Sequence, residues 1–103
     1  MALSGSMNTT QKIGFTFQPD QPLDGALTAE VTGDATVTFD DPTTGLTGFI
    51  VSGSTAGADV TVTFTGDGAP GAEVATLQEV VTISITAPNA TTLGGVLSAP
   101  VPK

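Results

Sequence analysis

Apolar and polar residues alternate along most of this chain, the two-residue period of a β-strand with one buried face. Between Lys12 and Gln18, Ile13, Phe15 and Phe17 alternate with Lys12, Thr16 and Gln18. Ala26 to Thr32 sets Leu27, Ala29 and Val31 against Thr28, Glu30 and Thr32. Ala35, Val37 and Phe39 alternate with Thr36 and Thr38. Gly48 to Ser54 places Phe49 and Val51 on one face. Ala58 to Thr65 is the most regular run, with Ala58, Val60, Val62 and Phe64 against Asp59, Thr61, Thr63 and Thr65. Val81 to Ala87 closes the pattern, with Val81, Ile83 and Ile85 against Thr82, Ser84 and Thr86. No stretch carries a helical period; Ala72 to Val80 alone fits either a turn or the start of the last strand.

Turn-forming residues fall between these runs. Pro19 to Gly25, Asp40 to Gly45, Gly53 to Gly57 and Gly66 to Gly71 are rich in Pro, Gly, Asp, Ser or Thr. Thr32-Gly33-Asp34 is short enough for a hairpin or a tight bend. Six or seven short strands with one apolar face each predict an all-β fold, two sheets packed face to face as a sandwich of about seven strands. Its core is light in aromatics, with five Phe and no Trp or Tyr, so Val, Ile, Leu and Ala fill most of it.

Both ends depart from the pattern. Pro88 to Lys103 is rich in Pro, Gly, Thr and Ala, with Leu93, Val96 and Leu97 as its main apolar residues. This tail is expected outside the sandwich, either unstructured or docked along a groove or a neighbouring subunit. Met1 to Met7 has neither the basic nor the apolar region of a signal peptide. A second Met after Ser-Gly-Ser reads as a natural start behind a cloning remnant. The expected division is therefore residues 1–6 outside the fold, 7–87 as the sandwich and 88–103 as the tail.

A chain of 103 residues makes one domain. Ten Asp plus Glu against two Lys give a net charge of -8, which favours solubility and mutual repulsion. Nucleic acid requires Lys and Arg to neutralise phosphates, and anionic membrane surfaces require the same, so neither is an expected partner. No apolar run reaches the length of a membrane span. The absence of Cys excludes disulfides and thiolate chemistry.

His, Arg, Tyr and Trp are also missing, which removes the common general bases, arginine clamps and sugar-stacking platforms. Carboxylates, hydroxyls and two lysines remain, and the acidic residues lie in turns or on polar strand faces. The chain is expected not to be an enzyme and to need no cofactor. Calcium is the one inorganic candidate: Asp40 and Asp41 share a loop, and Asp67 lies in another with Asp59 on the strand leading to it. No D-x-D-x-D-G loop is present, and acidic turn residues commonly accept backbone hydrogen bonds instead. Threonine rows at Thr36 and Thr38, at Thr61, Thr63 and Thr65, and at Thr82, Ser84 and Thr86 have the form of an ice-binding array. Threonine is equally the ordinary residue of a solvated strand face, the reading adopted. Lys12 and Asn89 raise an intramolecular isopeptide bond, for which no buried acid is predicted. Asn8-Thr9-Thr10 and Asn89-Ala90-Thr91 match the short glycosylation sequon.

A family resemblance rests on three stretches: Gln11 to Phe17 leading to a Pro/Asp-rich loop; Gly57-Ala58-Asp59-Val60-Thr61-Val62-Thr63-Phe64-Thr65-Gly66-Asp67-Gly68; and Leu77 to Thr86 before a Pro-rich end. Over about residues 11–87 the chain resembles the small bacterial immunoglobulin-like (Big-2-like) domains of tailed phages, prophages and bacterial surface proteins. It departs where the second strand would hold an aromatic residue and has a small one, Ala29. The resemblance implies an immunoglobulin-like β-sandwich with a non-enzymatic structural or accessory role, on a virion or on a bacterial cell surface. The expected partner is protein, through self-association or a larger assembly, with weak glycan contact as the adhesive alternative.

Overall fold

The computed structural model describes residues 2–89 and 93–103. Its strands are β1 (Ala2–Asn8), β2 (Lys12–Thr16), β3 (Thr28–Thr32), β4 (Ala35–Phe39), β5 (Thr47–Ser52), β6 (Asp59–Asp67) and β7 (Thr76–Thr86). Among the described residues there is no helix. The strands form a four-stranded sheet in the order β1-β7-β6-β3 and a three-stranded sheet in the order β2-β5-β4. All neighbours are antiparallel except β1, which runs parallel to β7.

The alternation read from the sequence selects the buried face of nearly every strand. Val60, Val62 and Phe64 of β6 and Val81, Ile83 and Ile85 of β7 form the buried centre with Met7 and Ile50. Ile13 and Phe15 of β2, Ala29 and Val31 of β3, and Ala35, Val37 and Phe39 of β4 pack against that centre. Full burial of such a side chain stabilises by about 1.5–3 kcal/mol. Aromatic contacts join the two sheets: the Phe15 ring centroid lies 4.7 Å from that of Phe64, and Phe17 lies 4.9 Å from Phe64. Phe39 meets Phe15 edge-on at 5.8 Å. Ala29 stands opposite Phe64 in the β3–β6 pair, so the small residue has a large cross-strand neighbour on the core face.

Strand β5 reverses one expectation. Phe49 and Val51 face away from the core, while Gly48 and Ile50 are buried. Register explains the reversal: Ile50 pairs with Ile13 and Val37, and Gly48 pairs with Phe15 and Phe39, all core-facing residues. A strand between two such neighbours must turn the matching residues inward. A Cβ at Gly48 would meet the Phe15 ring at 2.8 Å and clash with the Thr38 carbonyl. The glycine hides the inward face from a hydrophobic pattern.

The chain's first residues also differ from expectation. Ala2 to Ser6 lie in a strand and not outside the fold, because β1 pairs along β7 from Ala2–Val80 to Asn8–Thr86. Parallel pairing there satisfies the backbone groups on an otherwise open edge of β7. Thr76 to Val80, ambiguous in sequence, begin β7. Thr32-Gly33-Asp34 is a tight bend that carries the chain from one sheet to the other. Gly33 adopts φ +115°, and a side chain there would press on Val60 Cα at 3.2 Å.

Candidate functional site

The connections at one end of the sandwich leave the space between the sheets open. Strands β1, β5 and β7 begin at this end, and β2 and β6 finish there. Leu3, Phe64 and Leu77 line the opening from the four-stranded sheet. Phe17, Leu23, Leu27 and Leu46 line it from the loops that follow β2 and precede β3 and β5. The resulting groove has a volume of about 430 Å³. Among the described residues, Glu79 is the one charged side chain along it.

Local chemistry keeps the groove in shape. The Leu27 amide donates to the Thr44 carbonyl at 2.9 Å, and the Phe17 amide to the Leu46 carbonyl at 2.8 Å. Gly66 has no side chain where a Cβ would lie 2.7 Å from Leu27 Cδ2, so Leu27 rests on the β6 backbone. Asp67 Oδ1 accepts the amides of Ala69 and Ala75, each at 2.9 Å, and so ties the β6–β7 turn. The Asp67 carbonyl accepts the Asp24 amide at 2.8 Å, which anchors the loop bearing Leu23.

The four calcium candidates do not converge. Asp59 opens β6 and Asp67 closes it, a separation of roughly 26 Å at 3.3 Å per residue. Asp41 spends its carboxylate on its own turn, accepting the Thr43 amide at 3.1 Å and the Thr44 hydroxyl at 3.2 Å. The Asp40 amide donates to the Thr47 carbonyl at 3.0 Å. Among the described residues, no three His, Cys, Asp or Glu side chains are grouped to hold a metal ion.

Other sequence features resolve into local structure. The Lys12 ammonium sits 4.1 Å from the centroid of the Phe49 ring on the outer face of the three-stranded sheet. Asn8 closes the β1–β2 turn, its Oδ1 accepting the Thr10 amide at 2.9 Å. The sequon at Asn89 runs into residues outside those described. The threonine rows separate: Thr61 pairs with Thr32 and Thr82, with Ser4 beyond it on β1, whereas Thr36 and Thr38 belong to the other sheet.

Asp34, passed over in sequence, is bound to the loop that follows β5. Its Oδ2 accepts the Thr55 amide at 2.9 Å, and its carbonyl accepts the Gly53 amide at 3.0 Å. Hydrogen bonds from Thr55 and Ser54 hold its pKa below the ordinary value. The bend between the sheets is thereby tied to the loop after β5.

The groove too escaped the sequence reading. Its lining is spread from Leu3 to Glu79, and only closure of the two sheets gathers it. One signal was present: Leu23, Leu46 and Leu77 are bulky apolar residues in or beside turn segments. Beyond β7, residues 93–103 form no strand or helix. Val96 and Leu97 are 98% and 99% exposed. Comparison with protein-family models, with curated proteins and with solved structures finds no match to this chain.

Proposed function

We propose that this chain is a non-enzymatic, immunoglobulin-like structural or accessory module that works by assembly, of the kind that decorates a virion. The strand order supports the immunoglobulin reading. Strands β2, β5 and β4 correspond to B, E and D of that sandwich, and β3, β6 and β7 to C, F and G, with β1 added beside the last. The residue set supports the non-enzymatic part, since it offers no His, Cys, Arg or Tyr for acid–base, nucleophilic or clamping roles.

One observation carries the assembly reading: a strongly acidic protein displays an apolar segment after β7, with Leu93, Val96, Leu97 and Val101 all exposed. Contact with another protein would take these apolar side chains out of water, which favours association. Multi-angle light scattering of the full chain over a concentration series, with and without residues 88–103, tests the reading. A defined oligomer that dissociates when the segment is removed supports it. A monomer at every concentration counts against it, and an equal response with Ca²⁺ and with chelator is expected.

A second reading is a cell-surface adhesion module that contacts glycan or protein. The outer face of the four-stranded sheet favours it, because Thr61, Thr63, Thr65, Thr82 and Ser84 present a run of hydroxyls there, with the carboxylates of Glu30, Asp59 and Asp67 on the same face. Binding of the monomeric protein to a glycan array, abolished by substitutions on that face, would move the assignment to adhesion.

A further inference from the structure

Large apolar side chains exposed among the described residues occur in two places only. Leu3, Val74 and Leu77 surround the groove end of the sandwich, and Leu93, Val96, Leu97 and Val101 lie after β7. The two places are at opposite ends of the molecule. Leu77 stands at the start of β7, by the groove, and the chain leaves the sandwich after Thr86, roughly 30 Å away at 3.3 Å per residue.

Charge divides the same way. All ten carboxylates lie between Asp20 and Glu79, and residues 87–103 carry Lys103 alone. Subtracting that lysine from the net charge of -8 leaves -9 on residues 1–86. Two such bodies repel one another. The acid-free apolar segment is the part of a second copy that can approach without that penalty, and the groove is the apolar surface it would meet.

We infer that the groove between the sheets is the docking site for residues 93–101 of a second copy of this chain. The segment's leucine and valine side chains enter the space bounded by Leu3, Leu27, Phe64 and Leu77. Donor and acceptor are different surfaces at opposite ends, so each single contact joins a segment to a groove, and two copies lying antiparallel can make it twice. Each copy gives its segment and receives another, producing a reciprocal pair, a ring or an open row. This inference rests on the assembly reading above and names its contact.

Two single variants test it in the full chain. Leu77→Asp places a charge beside Glu79 in the groove, at a side chain already 51% exposed. Leu97→Asp alters a side chain that touches nothing in its own chain. Each should weaken self-association about ten-fold or more while leaving the circular dichroism spectrum and melting temperature close to wild type. Mixed together, the variants should form a dimer and nothing larger, since one retains the segment and the other the groove. An oligomer that persists in both variants, or a mixture that stays monomeric, overturns the groove-and-segment contact but leaves assembly by another surface standing. A wild-type chain that is monomeric at every concentration overturns both, including the case in which the segment folds back into its own groove.

Discussion

Phe64 carries the aromatic contacts between the sheets, meeting both Phe15 and Phe17. Phe64→Ala is expected to destabilise by about 3–5 kcal/mol, read as a lowered denaturant midpoint. A loss under 1 kcal/mol would mean that the sheets hold together without that cluster. Gly48 acts in the opposite sense, by absence of a side chain. Gly48→Ala should cost about 1–3 kcal/mol by pushing β4 and Phe15 apart, and unchanged melting would show that β5 can shift freely. Asp34 is an electrostatic case. Its folded-state pKa lies below the ordinary 3.8, so its hydrogen bonds stabilise the fold above that pH and cease to as pH falls through the folded value. Asp34→Ala is expected to lower the melting temperature at pH 7, with the difference shrinking as the pH falls below 3.8. A difference constant down to about pH 2.5 would remove the carboxylate from the explanation.

At the scale of elements, β1 has the most unusual place, as the parallel edge strand that covers β7. Removal of residues 2–6 would open that edge and expose Ile83 and Ile13, whose Cδ1 atoms lie within 3.4 and 3.6 Å of a Cβ built at Gly5. A chain starting at Met7 should melt lower by roughly 5–10 °C, corresponding to the loss of about 1–2 kcal/mol in a domain of this size. Equal melting of the two forms would make Ala2 to Ser6 an ornament of the fold. The strand's signal was present, because Leu3, Gly5 and Met7 alternate with Ser4 and Ser6. Serine and glycine hid it, as those residues favour a linker as readily as a strand edge. Glycine hid the inward face of β5 in the same manner.

The whole molecule combines an acidic sandwich, an apolar groove at one end and an acid-free segment leaving the other. Salt separates the forces acting between copies. Added NaCl screens repulsion between bodies of net negative charge and leaves apolar contact intact. Self-association is therefore expected to strengthen between about 0.05 and 0.5 M NaCl, measured by sedimentation equilibrium. Weakening over that range would point to an ion-paired interface and away from the groove.

Period-two alternation was enough to establish an all-β chain and the buried face of β2, β3, β4, β6 and β7, because a half-buried strand imposes its pattern directly on neighbouring residues. Missing residue types were enough to narrow the chemistry. Other features belonged to the tertiary structure. The inward face of β5 was decided by Ile13 and Val37 on its neighbours, and the role of β1 by an open edge on β7. The groove depended on closure of two sheets around Leu3, Leu27, Leu46 and Leu77. These properties arise from residues far apart in the chain, and a local hydrophobic pattern carries no record of which distant strands will meet.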